Sequence, residues 1–260
     1  MSKIIGRRKR FGVILPSTNN IVEADLARIN VSGVSLHYGR SHTVNEQAVD
    51  EAAYYKATSS NYVLDENQQI AELGPRLKAA IATLMTAVPD HLLVSTSANS
   101  FRGGQKGAYA FRDKMQAESG VGVSTGALSL AAALRAFGSP KRISFLTPYF
   151  PITNANIRRF FTEEGFEVKR DVALQAPSWL GIAEIPVSRL RDTLKHIDGP
   201  DVDAIVQSGT NANMMSLAIA AEQWLGKPVI PVNVATYWHG LRTTGITDKA
   251  YGCGRLLEEF

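Results

Sequence analysis

Apolar residues follow two alternating patterns along the chain. Short continuous apolar runs bounded by turn residues are typical of buried strands in a parallel sheet. Such runs occupy residues 11–15, 92–94, 142–146, 204–206 and 228–232. Between them apolar residues step by three or four positions, as in amphipathic helices, and two such stripes are Ile70, Leu73, Leu77, Ile81, Leu84 and Val187, Leu190, Leu194, Ile197. The alternation predicts an α/β fold built on parallel strands.

A weak internal repeat indicates that this pattern occurs twice. Pro16 follows the first apolar run, and a turn containing asparagine and a helical segment separate it from Gly33. Pro148 and Gly165 bound an equivalent segment in the second half, and both pairs are seventeen residues apart. We therefore predict two pseudo-symmetric lobes, each with a parallel sheet flanked by helices.

The predicted lobes comprise residues 1–137 and 138–260, and we leave open whether the C-terminal segment packs back on the first lobe. In each lobe an apolar strand ends in a small polar loop, at 95–100 and at 208–211. Ligands of parallel sheets bind beyond the carboxyl ends of the strands. A pseudo-twofold axis would bring the two loops face to face, so the sequence predicts a site in the cleft between the lobes.

Composition excludes several classes of protein. Hydrophobic residues make up 45% and charged residues 20%, which is typical of a folded globular chain. The longest apolar runs, such as 128–134, are far shorter than the roughly 20 residues of a membrane span. The net charge is +4, and four of the positive residues form the run Arg7–Arg10. Because no basic face with interleaved aromatic residues follows, we expect no nucleic-acid partner and no membrane partner.

Cysteine and histidine usage argues against metal chemistry. Cys253 is the single cysteine, which excludes an internal disulfide and every multi-cysteine metal site. The five histidines lack the spacing of zinc-binding motifs. We predict no metal site, and a reducing, cytoplasmic location. Cys253 lies outside both polar loops, so we expect it to be a packed thiol.

Five motifs together resemble one family. They are the segments 15–23 (LPSTNNIVE), 96–104 (TSANSFRGG), 147–149 (TPY), 208–211 (SGTN) and 232–239 (VNVATYWH). In this order they resemble the aspartate/glutamate racemase superfamily, in particular the branch of maleate cis-trans isomerase and arylmalonate decarboxylase. The motifs extend over nearly the whole chain.

The resemblance implies cofactor-independent chemistry at the carbon next to a carboxylate, with two facing cysteines as bases or nucleophiles. Here the first cysteine position holds Thr96 and the second holds Gly209. A threonine hydroxyl needs a neighbouring base to ionise, and glycine has no reactive group. We therefore expect the family fold with a different means of catalysis.

The resemblance also implies candidate substrate-binding residues. Asn19 and Asn211 match positions at which the family holds a substrate carboxylate, although asparagine at such positions also caps helices. The polar loops offer backbone N–H groups, with tight turns as the alternative, and such groups stabilise an oxyanion by roughly 2.7–4 kcal/mol per donor. The loop residues that we predict to bind substrate are Ser97, Ala98, Ser208, Gly209 and Thr210.

Three residues are candidates for catalysis. Tyr149 matches a family tyrosine that assists catalysis or orients the substrate, and a phenol can donate to an oxyanion without ionising; packing under the loop is the alternative. Thr96 is a weaker candidate because its loop contains no base. His239 is the histidine attached to a family motif and is a candidate base near neutral pH, although a helical histidine often serves a structural role. Glu23 and Asp25 in the first predicted helix are expected to complement its dipole.

These observations predict an isomerase or lyase that acts on a small carboxylate through an enolate or oxyanion held by the two polar loops. Two alternatives stay open at this point: a hydrolase of a small amide or lactone that uses the same oxyanion site, and a non-catalytic protein that binds small acids. The segment between Arg40 and Asn67 is either a lid over the cleft or a subunit contact. We also expect a homo-oligomer.

Overall fold

The computed structural model describes residues 5–45, 62–65 and 70–260, and these contain ten strands and ten helices. The strands are β1 (Lys9–Pro16), β2 (Val34–Ser41), β3 (Tyr62–Leu64), β4 (Ile70–Leu73), β5 (His91–Val94), β6 (Gly122–Thr125), β7 (Arg142–Thr147), β8 (Glu167–Ala173), β9 (Ala204–Gln207) and β10 (Val229–Pro231). The helices are α1 (Val22–Arg28), α2 (Pro75–Met85), α3 (Ser97–Ser100), α4 (Gly104–Ser119), α5 (Gly126–Ala136), α6 (Pro151–Glu163), α7 (Val187–Ile197), α8 (Met215–Leu225), α9 (Val232–Thr243) and α10 (Arg255–Glu259).

The strands form two parallel four-stranded sheets, which confirms the predicted fold class. The first sheet has the order β2-β1-β5-β6 and the second the order β10-β9-β7-β8. Pairing within both sheets is parallel throughout. The central strands are buried on both faces because helices cover both sides of each sheet, and residues 11 and 13–15 of β1 are fully buried. Strands β3 and β4 form a separate antiparallel pair.

The helix that follows the last strand of each lobe packs against the other lobe. Gly240 of α9 lies against the first sheet, where an added Cβ would come within 2.5 Å of Leu93. Arg135, at the end of α5 in the first lobe, pairs with Glu164 of the second lobe and lies over the ring of Phe166. One hydrophobic core therefore runs through both lobes. The predicted lobe boundary at residues 137 and 138 stays a prediction.

Two features differ from the predicted elements. The apolar stripe from Ile70 to Leu84 is not one helix: its first part is β4, and α2 begins at Pro75 after the extended residue Gly74. Proline favours the first turn of a helix, where its missing N–H has no consequence. Strands β2, β3, β6 and β8 also lie outside the predicted runs, and β8, for example, has the half-buried edge sequence EVKRDVA, which carries no apolar run. The stripe 187–197 forms α7 as predicted.

The described residues contain no helix with the length and apolar character that a bilayer span requires.

Candidate active site

A cleft with about 520 Å³ of empty space, part of it open to solvent, lies between the two lobes at the carboxyl ends of the strands. Its walls come from residues that end or follow β1, β2, β5, β7 and β9 and from the stretch between β8 and α7. The lining residues are Pro16, Thr18, Asn19, Ser41, Thr43, Thr96, Ser97, Ala98, Asn99, Tyr149, Trp179, Ile182, Thr210 and Asn211.

Seven of the ten residues predicted for the site line this cleft: Asn19, Thr96, Ser97, Ala98, Tyr149, Thr210 and Asn211. Ser208 and Gly209 are buried in the same loop as Thr210 and do not line the cleft. His239 lies elsewhere, as described below. The two polar loops therefore meet, although they do not contribute every residue that the sequence suggested.

Asn19 is both a helix cap and a side chain of the cleft. Its Oδ1 accepts hydrogen bonds from the backbone N–H groups of Ile21 and Val22, at 3.0 and 2.9 Å. Its Nδ2 donates to Thr210 Oγ1 across the lobe boundary, at 3.2 Å. Because an amide carries two hydrogens, one donor of Asn19 remains for a ligand. Capping and binding, which the sequence presented as alternatives, are compatible here.

Asn211 joins the lobes. Its Oδ1 accepts from the backbone N–H of Asn20 at 2.8 Å, and its Nδ2 donates to the carbonyl oxygens of Trp179 at 2.8 Å and Thr18 at 3.4 Å. Both amide hydrogens thus have protein acceptors. The Asn211 side chain holds three segments of the cleft wall in place and has no donor left for a substrate carboxylate.

Tyr149 and Ser97 meet across the cleft. The phenol oxygen of Tyr149 lies 2.7 Å from Ser97 Oγ, so the two hydroxyls share a hydrogen bond. Both side chains are buried, and the backbone N–H of Tyr149 donates to Thr147 Oγ1 at 3.1 Å. Ser97 and Ala98 begin α3 at the cleft wall, where a helix leaves its first N–H groups without intrahelical acceptors. This corner combines two hydroxyls with backbone donors.

The two positions that the resemblance matches to cysteines differ in their surroundings. Thr96 lines the cleft, and its φ of −119° is open to any residue with a side chain. Gly209 has a φ of +137°, and an added Cβ would lie within 2.6 Å of Pro148 Cγ and closer still to its Cδ. A side chain at position 209 would therefore require the loop to move. The packing of this loop therefore favours glycine at position 209.

His239 belongs to a separate surface groove on the other side of the first lobe. That groove is also lined by His91, Tyr109 and Arg112. His239 Nδ1 lies 3.0 Å from Ser129 Oγ, and burial lowers the pKa of the imidazole. Because it does not reach the cleft, we do not assign His239 a catalytic role.

Sequence reasoning missed four residues of the cleft wall: Ser41, Thr43, Trp179 and Ile182. Ser41 ends β2, and the available signal was the alternation of apolar and polar residues from Val34 to Tyr38. Trp179 and Ile182 lie in an irregular stretch without periodicity. They add to the apolar part of the cleft wall. Leu180 N donates to Asn45 Oδ1 at 2.8 Å, which ties this stretch to the segment after β2.

The segment between Arg40 and Asn67, for which a lid or a subunit contact was predicted, lies mostly outside the described residues. Its first residue stands beside the cleft. Arg40 donates to the carbonyl oxygens of Ser17 and Asn19, at 3.2 and 3.0 Å, and pairs with Glu23 at 2.8 Å. A guanidinium group therefore lies against the loop that carries Asn19, where the carboxylate of Glu23 pairs with it.

The described residues contain no cluster of three or more His, Cys, Asp or Glu side chains arranged to hold a metal ion. Among the lining residues, none is an aspartate, glutamate, histidine, lysine or arginine. The functional groups of the cleft wall are hydroxyls, amides and backbone groups, with the Tyr149 phenol as the most acidic side chain.

Known proteins resemble the chain both in fold and in sequence. A cysteine-to-serine mutant of the Nocardia farcinica maleate cis-trans isomerase, solved with a covalently bound succinylcysteine intermediate, has a TM-score of 0.81 at 21% identity over 97% of this chain and 99% of that one. A double mutant of arylmalonate decarboxylase, solved in the liganded form, has a TM-score of 0.80 at 21% identity, over 97% and 100% of the two chains. These similarities show a shared fold.

Sequence similarity to curated relatives covers a shorter region. Maleate isomerase of Pseudomonas putida is 32% identical over 137 residues, and that of Alcaligenes faecalis is 27% identical over 139 residues. The aligned region spans about half of this chain and 54% of each relative. The family model described as arylmalonate decarboxylase matches residues 68–257, which is more than half of the chain. The protein therefore belongs to the arylmalonate decarboxylase family, in agreement with the resemblance noted in its motifs.

Proposed function

We propose that the protein is a cofactor-independent isomerase or lyase that acts on a small carboxylate, and that it works without the thiols of its relatives. The observation that carries this proposal is the contact between Ser97 and Tyr149, which places two hydroxyls from opposite lobes in one cleft. The names of the relatives, maleate isomerase and arylmalonate decarboxylase, support the reaction class.

In this proposal the substrate carboxylate binds between the lobes. The remaining amide hydrogen of Asn19 and the backbone N–H groups that begin α3 donate to its oxygens. Trp179 and Ile182 form the wall against which the apolar part of the substrate packs. The substrate class that fits is a small acid with one apolar side.

A lyase reaction needs fewer catalytic groups in this cleft than isomerisation through a covalent adduct does. Loss of carbon dioxide breaks one carbon–carbon bond and leaves its electron pair on the neighbouring carbon as an enolate. The donors of the cleft stabilise the enolate oxygen. The Tyr149 hydroxyl gives its proton to the carbon, and Ser97 returns a proton to the phenolate from solvent. Isomerisation through a covalent adduct would require a nucleophile at Thr96, for which no lining residue supplies a base.

A small-acid binding protein is the second candidate. It is favoured by the extent to which the polar side chains of the cleft bond to each other: both amide hydrogens of Asn211 and one of Asn19 have protein acceptors. A hydrolase would need a base to activate water, and the lining residues include none of the usual ones. We therefore do not propose the hydrolase. The predicted homo-oligomer and cytoplasmic location stay predictions.

The test is an activity screen with the purified protein. Maleate and a set of arylmalonates are incubated with the wild type and with the Tyr149→Phe variant, and products are followed by NMR. We expect consumption of at least one acid by the wild type and a large loss in the variant. Thermal stabilisation by the same acids without any product would instead support the binding protein. If the wild type shows no turnover of these acids and is not stabilised by any of them, both candidates are contradicted.

A further inference from the structure

A buried carboxyl group is connected to the cleft by hydrogen bonds through three elements. Asp25 of α1 is 4% exposed, and its Oδ2 accepts a hydrogen bond from Asn233 Nδ2 of α9 at 2.8 Å. The same Nδ2 donates to the backbone carbonyl of Thr210 at 3.0 Å. The amide of Asn233 therefore bridges the carboxyl group and the loop that follows β9. Neither Asp25 nor Asn233 lines the cleft.

Thr210 is the residue through which this bridge reaches the cleft. Its hydroxyl accepts from Asn19 Nδ2 at 3.2 Å and donates to the carbonyl of Ser95 at 3.1 Å. It thus joins the first loop of the first lobe, the loop after β5 and its own loop after β9. A shift of the Thr210 backbone would move the hydroxyl away from Asn19, and the amide of Asn19 is the proposed carboxylate donor.

We infer that Asp25 and Asn233 are positioning residues that hold the Thr210 loop, residues 208–211, in its place at the cleft. The expected effect on ligand binding rests on the proposed function. The positioning of the Thr210 loop rests only on the contacts described above. Asp25 acts through Asn233 and touches no group of the cleft wall directly.

Charge determines the orientation of the Asn233 amide. The ionised carboxylate of Asp25 and the carbonyl of Thr210 are both acceptors only, so both must face the amide nitrogen. The amide oxygen is turned away and is buried without a hydrogen-bond partner. If the amide were flipped, its oxygen would face two other acceptors. An ionised Asp25 therefore keeps the nitrogen in the orientation that binds Thr210.

Protonation of Asp25 would weaken this preference, because only the Thr210 carbonyl would then still require the amide nitrogen. Burial raises the pKa of Asp25 to about 6, against the opposing effects of the Asn233 hydrogen bond and the charge of Arg28 on the same helix. From α9 the facing polar group is the neutral amide of Asn233, and from the Thr210 loop it is the backbone carbonyl. A neutral carboxyl can donate its proton to a flipped amide oxygen. The Thr210 carbonyl then loses its donor.

The first experiment needs no ligand and follows the backbone amide resonances of the Thr210 loop between pH 5 and pH 8. In the wild type we expect the signals of Thr210 and Asn211 to shift with a midpoint near the Asp25 pKa of about 6. In Asp25→Asn, which keeps an acceptor oxygen but cannot titrate, this transition should be absent. Glu222→Gln is the matched control, because Glu222 is also a buried carboxyl group with a raised pKa and lies away from the cleft.

Glu222→Gln should retain the transition of the Thr210 loop. A transition that persists in Asp25→Asn, that is lost in Glu222→Gln, or that is absent from the wild type would overturn the inference. Asn233→Ala provides a second variant: it should abolish the transition while Asp25 still titrates.

The second experiment links positioning to binding. The probe is ethane-1,2-disulfonate, whose two charges stay constant over this pH range, so any pH effect belongs to the protein. We expect the affinity of the wild type to fall about fivefold from pH 8 to pH 5, the scale of one hydrogen bond. The affinity of Asp25→Asn should be independent of pH and close to that of the wild type at pH 8.

The two proposals fail in different ways. If the wild type binds no probe or acid at any pH while the resonances behave as expected, the proposed function is wrong and the positioning stands. If the wild type binds and Asp25→Asn keeps the same pH dependence, the positioning is wrong and the function stands.

Discussion

Replacement of Tyr149 by phenylalanine is the most direct test of the cleft. The change removes one oxygen from a buried ring and leaves the ring itself in place. That oxygen lies 2.7 Å from Ser97 Oγ, and Ser97 is 1% exposed. The substitution therefore leaves a buried serine hydroxyl without this partner, which costs about 1–3 kcal/mol of stability unless water enters.

The expected loss of activity is larger than the loss of stability. Because the phenol is proposed to protonate the carbon as a general acid, its removal should decrease kcat by roughly 10²–10⁴-fold. Ser97→Ala is the matched control, because it removes the same hydrogen bond and keeps the phenol. We expect a decrease of about tenfold for Ser97→Ala, and a double variant no slower than Tyr149→Phe alone, since the two groups are coupled.

The assay is the initial rate of product formation with whichever acid the screen identifies, together with the free energy of unfolding in urea for each variant. A kcat of Tyr149→Phe within about twofold of the wild type would refute the assignment of Tyr149 to catalysis. Equal losses in Tyr149→Phe and Ser97→Ala that multiply in the double variant would refute the coupling.

Three further predictions concern positions 209, 96, 25 and 253. Gly209→Cys should lower the free energy of unfolding by roughly 1–3 kcal/mol, because position 209 has a φ of +137° and an added Cβ would meet Pro148. Thr96→Cys should fold normally and react with thiol reagents. A Gly209→Cys variant as stable as the wild type in urea unfolding would contradict this. Burial raises the pKa of Asp25 to about 6, so the folded state binds the Asp25 proton more tightly than the unfolded state does. The ionised carboxylate therefore opposes folding above pH 6, and this cost disappears as the pH falls to about 4. Asp25→Asn should therefore be more stable than the wild type at pH 8 by up to about 3 kcal/mol, and the difference should vanish near pH 4 in urea unfolding; an advantage that grows toward acid pH would have the wrong sign. Cys253 is 6% exposed and burial raises the pKa of its thiol, so thiol reagents should modify it slowly. Mass spectrometry should show this slow modification, and rate measurements should show that turnover is unchanged. A modification that abolishes turnover and that substrate prevents would contradict the prediction.

The stability of Asp25→Asn also tests what an ionised carboxyl group contributes in the interior of the protein. An ionised Asp25 weakens the fold, and in our inference it orders the Thr210 loop. A variant that gains stability and keeps its affinity at pH 8 would show that the acceptor oxygen suffices. The native carboxyl would then add only the response to pH.

The sequence by itself determined the fold class and predicted the cleft that holds the candidate site. Continuous apolar runs predict buried parallel strands because both faces of such strands are covered, and this pattern is local enough to see in single segments. The repeat around Pro16 and Pro148 predicted two lobes, and polar residues directly after the strands predicted loops that converge. The same loops carried the resemblance to the arylmalonate decarboxylase family, which the family model confirms.

Only the tertiary structure decided which side chains are free to act. Tyr149 and Ser97 are 52 residues apart and Asp25 and Asn233 are 208 apart, and no local pattern records such pairs. Whether an asparagine amide meets a substrate or a carbonyl depends on what other segments place beside it, which is why Asn211 joins the lobes and Asn19 keeps a donor. Periodicity reports how each segment meets the core, whereas hydrogen-bond partners are set by the packing of segments distant in the chain.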